Sequence, residues 1–181
     1  KEGVYACIGL HPIHTSSSYH DTNELGDDGK EFVSRGEIFD KEKYRELAKE
    51  GRVVGIGECG LDYYHLNEDN IEKQKKAFID QIELANELNI PLMLHVRNSD
   101  ENLETSAYQD VLEILKKYAK VKGVVHFFAG TLKDAKDFID FGFYISFAGV
   151  ITYPPKKNDP RKINYEEIIK ELPLHMIMAD T

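Results

Sequence analysis

The chain has 181 residues, 41% of them hydrophobic, which is material for one globular domain with a real core. Its 23 basic and 32 acidic residues leave a net charge of −9. That balance argues against a sequence-independent grip on nucleic acid, yet leaves a nucleic-acid substrate open if metal ions carry the local positive charge. The two cysteines, Cys7 and Cys59, offer no disulfide framework and no paired zinc-finger spacing. No apolar run near 18 residues and no signal-peptide pattern stand out, so the expectation is a soluble protein of the cytoplasm, with the nucleus as a second compartment.

The chain enters a strand almost at once, with "VYACIGL" over 4–10. The polar stretch 14–40, rich in Ser, Asp and Gly, reads mainly as a surface loop before a helix near 41–50. "VVGIGE" at 53–58 is a short apolar run bounded by glycine, the mark of a buried strand. Residues 69–89 carry Ile71, Phe78, Ile82, Ala85 and Leu88 on one helical face. "PLMLHV" (91–96) is the next strand, and 107–120 repeats apolar groups from Tyr108 to Ala119 with a 3.6 period. "GVVHFF" (123–128) follows, and then a helix that Thr131 caps, with Asp134 three residues on and Gly142 as its stop. The last strands are "FYISFA" (143–148) and "HMIMAD" (175–180), separated by the proline-rich, basic "TYPPKKNDPRKI" (152–163), which cannot be regular and is expected over one end of the sheet. Strands alternating with helices imply a parallel sheet covered by helices, in a single domain.

The chemistry-bearing residues fall at strand ends. Glu58 closes the second run, His95 sits near the end of the third, and His126 near the end of the fourth. In a parallel sheet or barrel, the carboxyl ends of successive strands converge on one rim, where active sites form. Carboxylate and imidazole there suit a divalent ion such as Zn²⁺, Mn²⁺ or Mg²⁺. Each residue alone has a plainer reading: a hydrogen-bonded structural histidine, or a Glu58 paired with Arg52, Arg97 or a lysine. The constellation carries the metal reading. His11, in "GLHPIH", ends the first run and either contacts substrate or packs. Arg97 alternates back to the face of His95 and suits an anionic oxygen. Asp62 either orients a ligand or stabilises a turn. Cys59 reads as a small buried hydrophobe, and His14, His20, His65 and His175 as structural or solvated.

As a set, "IGLHP", "GIGECGLDYY", "PLMLHVR", "VVHFFAG" and "FYISFAGVIT" resemble the TatD-related metal-dependent deoxyribonucleases over nearly the whole chain. The resemblance implies an α/β fold, a TIM-type (β/α)₈ barrel of which this chain covers about strands three to eight. It implies one or two divalent metal ions (Mg, Mn or Zn) held by Glu58, His95 and His126, with Glu58 bridging two ions and serving as the catalytic residue. His11 and Arg97 would look toward a phosphate of a DNA substrate; no membrane and no obligate protein partner is expected. The activity implied is hydrolysis of DNA phosphodiester bonds, as an exonuclease. Two readings stand beside it: an amidohydrolase-type enzyme on a small molecule, and a catalytically inactive barrel acting as a binding protein. The family opens with a strand bearing H-x-H and ends strand eight with E-T-D. Here Asp180 matches the Glu of that motif and stays outside the ligand set; the alternative, Asp180 as the catalytic carboxylate itself, needs a one-residue slip that turns the side chain to the other face. The expectation is therefore a piece of a longer enzyme, wanting the first two strands and the Asp after Thr181, and by itself a poor binder of metal.

Overall fold

A computed structural model of the chain describes residues 3–20, 32–64, 68–100, 104–153 and 163–180. Its strands are β1 (Ala6–Ile8), β2 (Ser18–His20), β3 (Phe32–Ser34), β4 (Val53–Asp62), β5 (Leu92–Arg97), β6 (Gly123–Val125), β7 (Tyr144–Phe147) and β8 (Ile177–Ala179). The α-helices are α1 (Lys41–Leu47), α2 (Glu68–Leu88), α3 (Ala107–Tyr118), α4 (Leu132–Asp140) and α5 (Tyr165–Glu171). All six expected strands are present. They form one parallel sheet in the order β1-β4-β5-β6-β7-β8, and β2 and β3 make a separate antiparallel pair. Neighbours in the sheet thus follow one another in chain order, and parallel neighbours are joined by crossover connections.

The helix faces read from the sequence are the buried ones. Phe78, Ile82 and Ala85 of α2 and Tyr108, Val111, Leu112 and Leu115 of α3 lie in the core, with Ile71 and Leu88 packed against it. They cover Ile56, Leu61, Leu92, Leu94 and Val125 of the sheet. Along β5 burial alternates: Leu92, Leu94 and Val96 are buried, while Met93 and His95 are half-buried and Arg97 is exposed. The strand therefore has a dry face and an open one, and His95 is on the open one. Tyr108 meets Phe128 and Phe138 edge-on, at ring separations of 5.2 and 6.2 Å. Each such buried aromatic contributes about 1.5–3 kcal/mol by its burial, with the edge-on geometry favoured by ring quadrupoles. The capping box at α4 forms as expected: Thr131 Oγ1 accepts the Asp134 N–H, and Asp134 Oδ2 accepts the Thr131 N–H.

Four elements differ from the sequence reading. β4 does not stop at Glu58 but continues to Asp62. β6 ends at Val125, so His126 opens a turn whose next residue, Phe127, has φ +46°. The stretch 14–40 holds a 3₁₀ turn (Pro12–Thr15) at its start and the β2–β3 pair. The last run splits into a 3₁₀ turn, Leu174–Met176, and β8, preceded by the unforeseen helix α5, which Asn164 caps through the Glu167 N–H. Residues 21–31, His65, the side chain of His20 and most of the proline-rich stretch (154–162) lie outside the described residues.

Candidate metal centre

Glu58 reaches the site through a bulge. In the β4–β5 ladder Ile56 pairs with Leu92 and Cys59 with Leu94, so three steps of β4 span two of β5. The extra residue bends the strand and re-aims a side chain. Gly57 makes room for it, because a Cβ there would overlap the Met93 carbonyl. Cys59 then turns into the core at 0% exposure, as a buried hydrophobe, and burial pushes its thiol well above the ordinary range. The Glu58 side chain remains 31% exposed.

Two imidazoles meet that carboxylate. His11 Nε2 lies 3.5 Å from Glu58 Oε2, and His126 Nε2 lies 2.9 Å from Oε1. His11 follows β1 and caps the turn Pro12–Thr15, where its Nδ1 accepts the Ile13 N–H. Its ring sits edge-on to His95, 4.1 Å between centroids. Burial, and next the neighbouring His95, push its pKa down to about 3 against the pull of Asp62. With Nδ1 accepting from Ile13, the neutral ring carries its proton on Nε2, toward Glu58.

His95 Nε2 lies 2.7 Å from Asp62 Oδ2. Asp62 is only 2% exposed, and its other oxygen accepts the Tyr64 N–H. Burial alone would raise this carboxyl, but the His95 contact, the Tyr64 amide and the Arg97 charge outweigh it and hold the pKa below its ordinary value. Asp62 is thus an ionised, fixed partner that orients the imidazole, the arrangement that supports metal-binding histidines. His11, Glu58 and His95 each offer a ligand atom, all within 4.8 Å of one another.

His126 stands on the far oxygen of Glu58, outside that group of three. Its Nδ1 lies 2.7 Å from Asp180 Oδ2, which also accepts from Ser146 Oγ at 2.7 Å and the Phe127 N–H at 3.2 Å. Sequence reasoning gave Asp180 no part beside His126 and did not single out Ser146. The signal was register: Phe147 pairs with Ala179, so Asp180 leaves β8 on the same rim. Arg97 is exposed and stacks its guanidinium on Tyr64, 3.6 Å from the ring centroid. His14 lies 5.9 Å from the His11 ring, and His175 is in the turn before β8.

The segment after His126 is tied down by α3. The fully buried Tyr108 accepts the Ala129 N–H through its hydroxyl, at 2.9 Å. Tyr108→Phe leaves that amide without its acceptor, at an expected cost of about 1–3 kcal/mol. A thermal melt checks this, and an unchanged Tm would show that the hydroxyl is dispensable.

Comparison with known proteins agrees with this geometry. The family described as TatD related DNase matches residues 1–181. An "uncharacterized metal-dependent hydrolase" of Bacillus subtilis is 31% identical over 98% of this chain and 58% of its own length. A "Putative deoxyribonuclease TATDN1 homolog" of Enterocytozoon bieneusi is 33% identical over 96% of the chain and 53% of its own. Among solved structures, the TatD homolog YjjV of Escherichia coli superposes with a TM-score of 0.71 at 26% identity, over 100% of this chain and 58% of that one. A TatD family hydrolase of Entamoeba histolytica gives 0.66 at 25%, over 98% and 50%. The chain spans about half the length of the relatives it matches. The neighbours are TIM-barrel proteins, and the six-stranded parallel sheet with its helices is of that α/β type. The chain belongs to the TatD-related family of metal-dependent hydrolases.

Proposed function

We propose that the protein is a metal-dependent deoxyribonuclease that hydrolyses DNA phosphodiester bonds from an end. The observation that carries the reading is the Glu58 carboxylate, one oxygen toward His11 and the other toward His126. The donor set fits a divalent ion: imidazole nitrogens and a carboxylate, converging within one coordination sphere's reach. Glu58, His95 and His126 would hold metal, as the family resemblance implies, and His11, within reach of Glu58 and His95, would join them. A divalent ion, when bound, supplies the positive charge that acidifies a water and offsets charge on non-bridging phosphate oxygens.

The chain's own groups do the rest. Asp62 keeps His95 oriented, and Asp180 does the same for His126. Arg97, braced on Tyr64, offers its guanidinium to a phosphate oxygen. Phe127, exposed and next in the chain to His126, would offer a face on which a base stacks. The "Putative deoxyribonuclease" name of the Enterocytozoon bieneusi relative supports the same substrate. The net charge of −9 favours a second reading, an amidohydrolase-type enzyme on a small molecule.

End-labelled DNA and a panel of small amides and esters separate the two. With full-length protein and Mn²⁺ or Mg²⁺, shortening of the DNA that a chelator stops is expected. Cleavage of an amide with DNA left intact would overturn the nuclease reading.

A further inference from the structure

Two glutamines on one helix tie the site's backbone in place. Gln74 and Gln81 lie seven residues apart on α2, two helical turns, so they share a face. They are 3% and 1% exposed, and each spends its whole amide on main chain. Gln74 Oε1 accepts the Asp62 N–H at 2.8 Å, and its Nε2 donates to the Asp62 carbonyl at 3.0 Å. Gln81 Oε1 accepts the Leu10 N–H at 2.8 Å, and its Nε2 donates to the carbonyls of Leu10 and Ala77, both at 3.1 Å. A primary amide used this way imitates a neighbouring strand: it pairs an N–H and a C=O of one residue at once.

The two residues so gripped are not arbitrary. Leu10 directly precedes His11, beyond the last β1–β4 pair, Ile8 with Ile56. Asp62 is the last residue of β4 and the partner of His95. Gly9 lies where the grip and the bulge come together: a Cβ there would fall 2.6 Å from Gln81 Oε1 and 2.9 Å from the carbonyl carbon of Gly57, the residue before Glu58. The bare Gly9 backbone thus lets α2 and the bulge of β4 abut around the stem of His11.

We infer that Gln74 and Gln81 are positioning residues for the metal cluster, acting as a two-point gauge that sets where His95 and His11 stand relative to Glu58. The inference rests on the metal-binding reading of the preceding subsection. The plainer role for a buried glutamine is to satisfy main-chain polar groups and nothing more. The two roles differ in what a substitution changes: stability alone, or stability together with ligand placement.

Gln74→Met and Gln81→Met keep the length of the side chain and remove every hydrogen bond of the amide, two at Gln74 and three at Gln81. Calorimetric titration of the full-length protein with Mn²⁺ is expected to show affinity lowered by about 10–100-fold in each, the range for changes behind a ligand. Ile168→Val, on the buried face of α5 and away from both grips, supplies a destabilised control that should bind within about twofold of the parent. In the metal-free protein, Gln81→Met should shift the imidazole NMR signals of His11, and Gln74→Met those of His95. Gly9→Ala, which crowds the Gln81 amide without removing it, serves if the methionine variants do not fold, and it too should weaken Mn²⁺ binding. Variants with lowered Tm but parental Mn²⁺ affinity and unmoved histidine signals would overturn the inference. A parent protein that binds no Mn²⁺ would overturn the metal-binding reading with it.

Discussion

Glu58→Gln is expected to cut metal-dependent hydrolysis by about a thousandfold or more while leaving the protein folded. The substitution preserves volume and removes the charge that faces both imidazoles. Metal-derived stabilisation of a transition state amounts to several kcal/mol, and each 1.36 kcal/mol is a factor of about ten, so losing roughly 4 kcal/mol gives the stated effect. Folding should survive because the side chain is 31% exposed and lies outside the apolar core. Three measurements check it together: Mn²⁺ titration, hydrolysis at saturating metal, and the thermal melt. Full activity at saturating metal would remove Glu58 from the site. Activity lost along with the fold would show that the carboxylate is needed for packing instead.

Gly60→Ala should act through the fold. Gly60 stands opposite His95 in the β4–β5 ladder with φ +141°, and a Cβ there would overlap the His95 carbonyl. The backbone conformation costs an ordinary residue about 1–3 kcal/mol, and the overlap adds about 1–3 kcal/mol of forced movement. The sum, roughly 3 kcal/mol or more, corresponds to a Tm lower by about 6–12 °C for a chain of this size. Because β4 bears Glu58 and Asp62 and β5 bears His95, parting these strands should also weaken metal binding. Gly51→Ala is the matched control, with no atom within 4 Å of the added methyl; its Tm should stay within the equivalent of about 0.5 kcal/mol. An unchanged Tm for Gly60→Ala would mean that the ladder yields at no cost.

The contrast between these two glycines shows where sequence information ends. In the sequence both are simply glycines on either side of the run 53–58, and the neighbouring strand distinguishes them. The same holds for Glu58. Its place in a short apolar run was legible, and so was its convergence with His95 and His126, because strand ends in a parallel sheet share a rim. Its position inside a bulge was not, since a bulge exists only relative to the partner strand's register. That register carried β4 on to Asp62 and set Asp62 beside His95.

Legible in the residues alone were the alternating α/β architecture, the six strands along the chain, the buried faces of α2 and α3 and the capping box at Thr131. These rest on periodicity and capping chemistry within a few consecutive residues. The tertiary structure alone decided that His11 joins Glu58 and His95, that Asp180 and Ser146 back His126, and that Gln74 and Gln81 grip the main chain at Asp62 and Leu10. The Gln81 bond closes a span of 71 residues. Such pairings are chosen by which backbone groups the sheet leaves without a strand partner, and no local pattern encodes that.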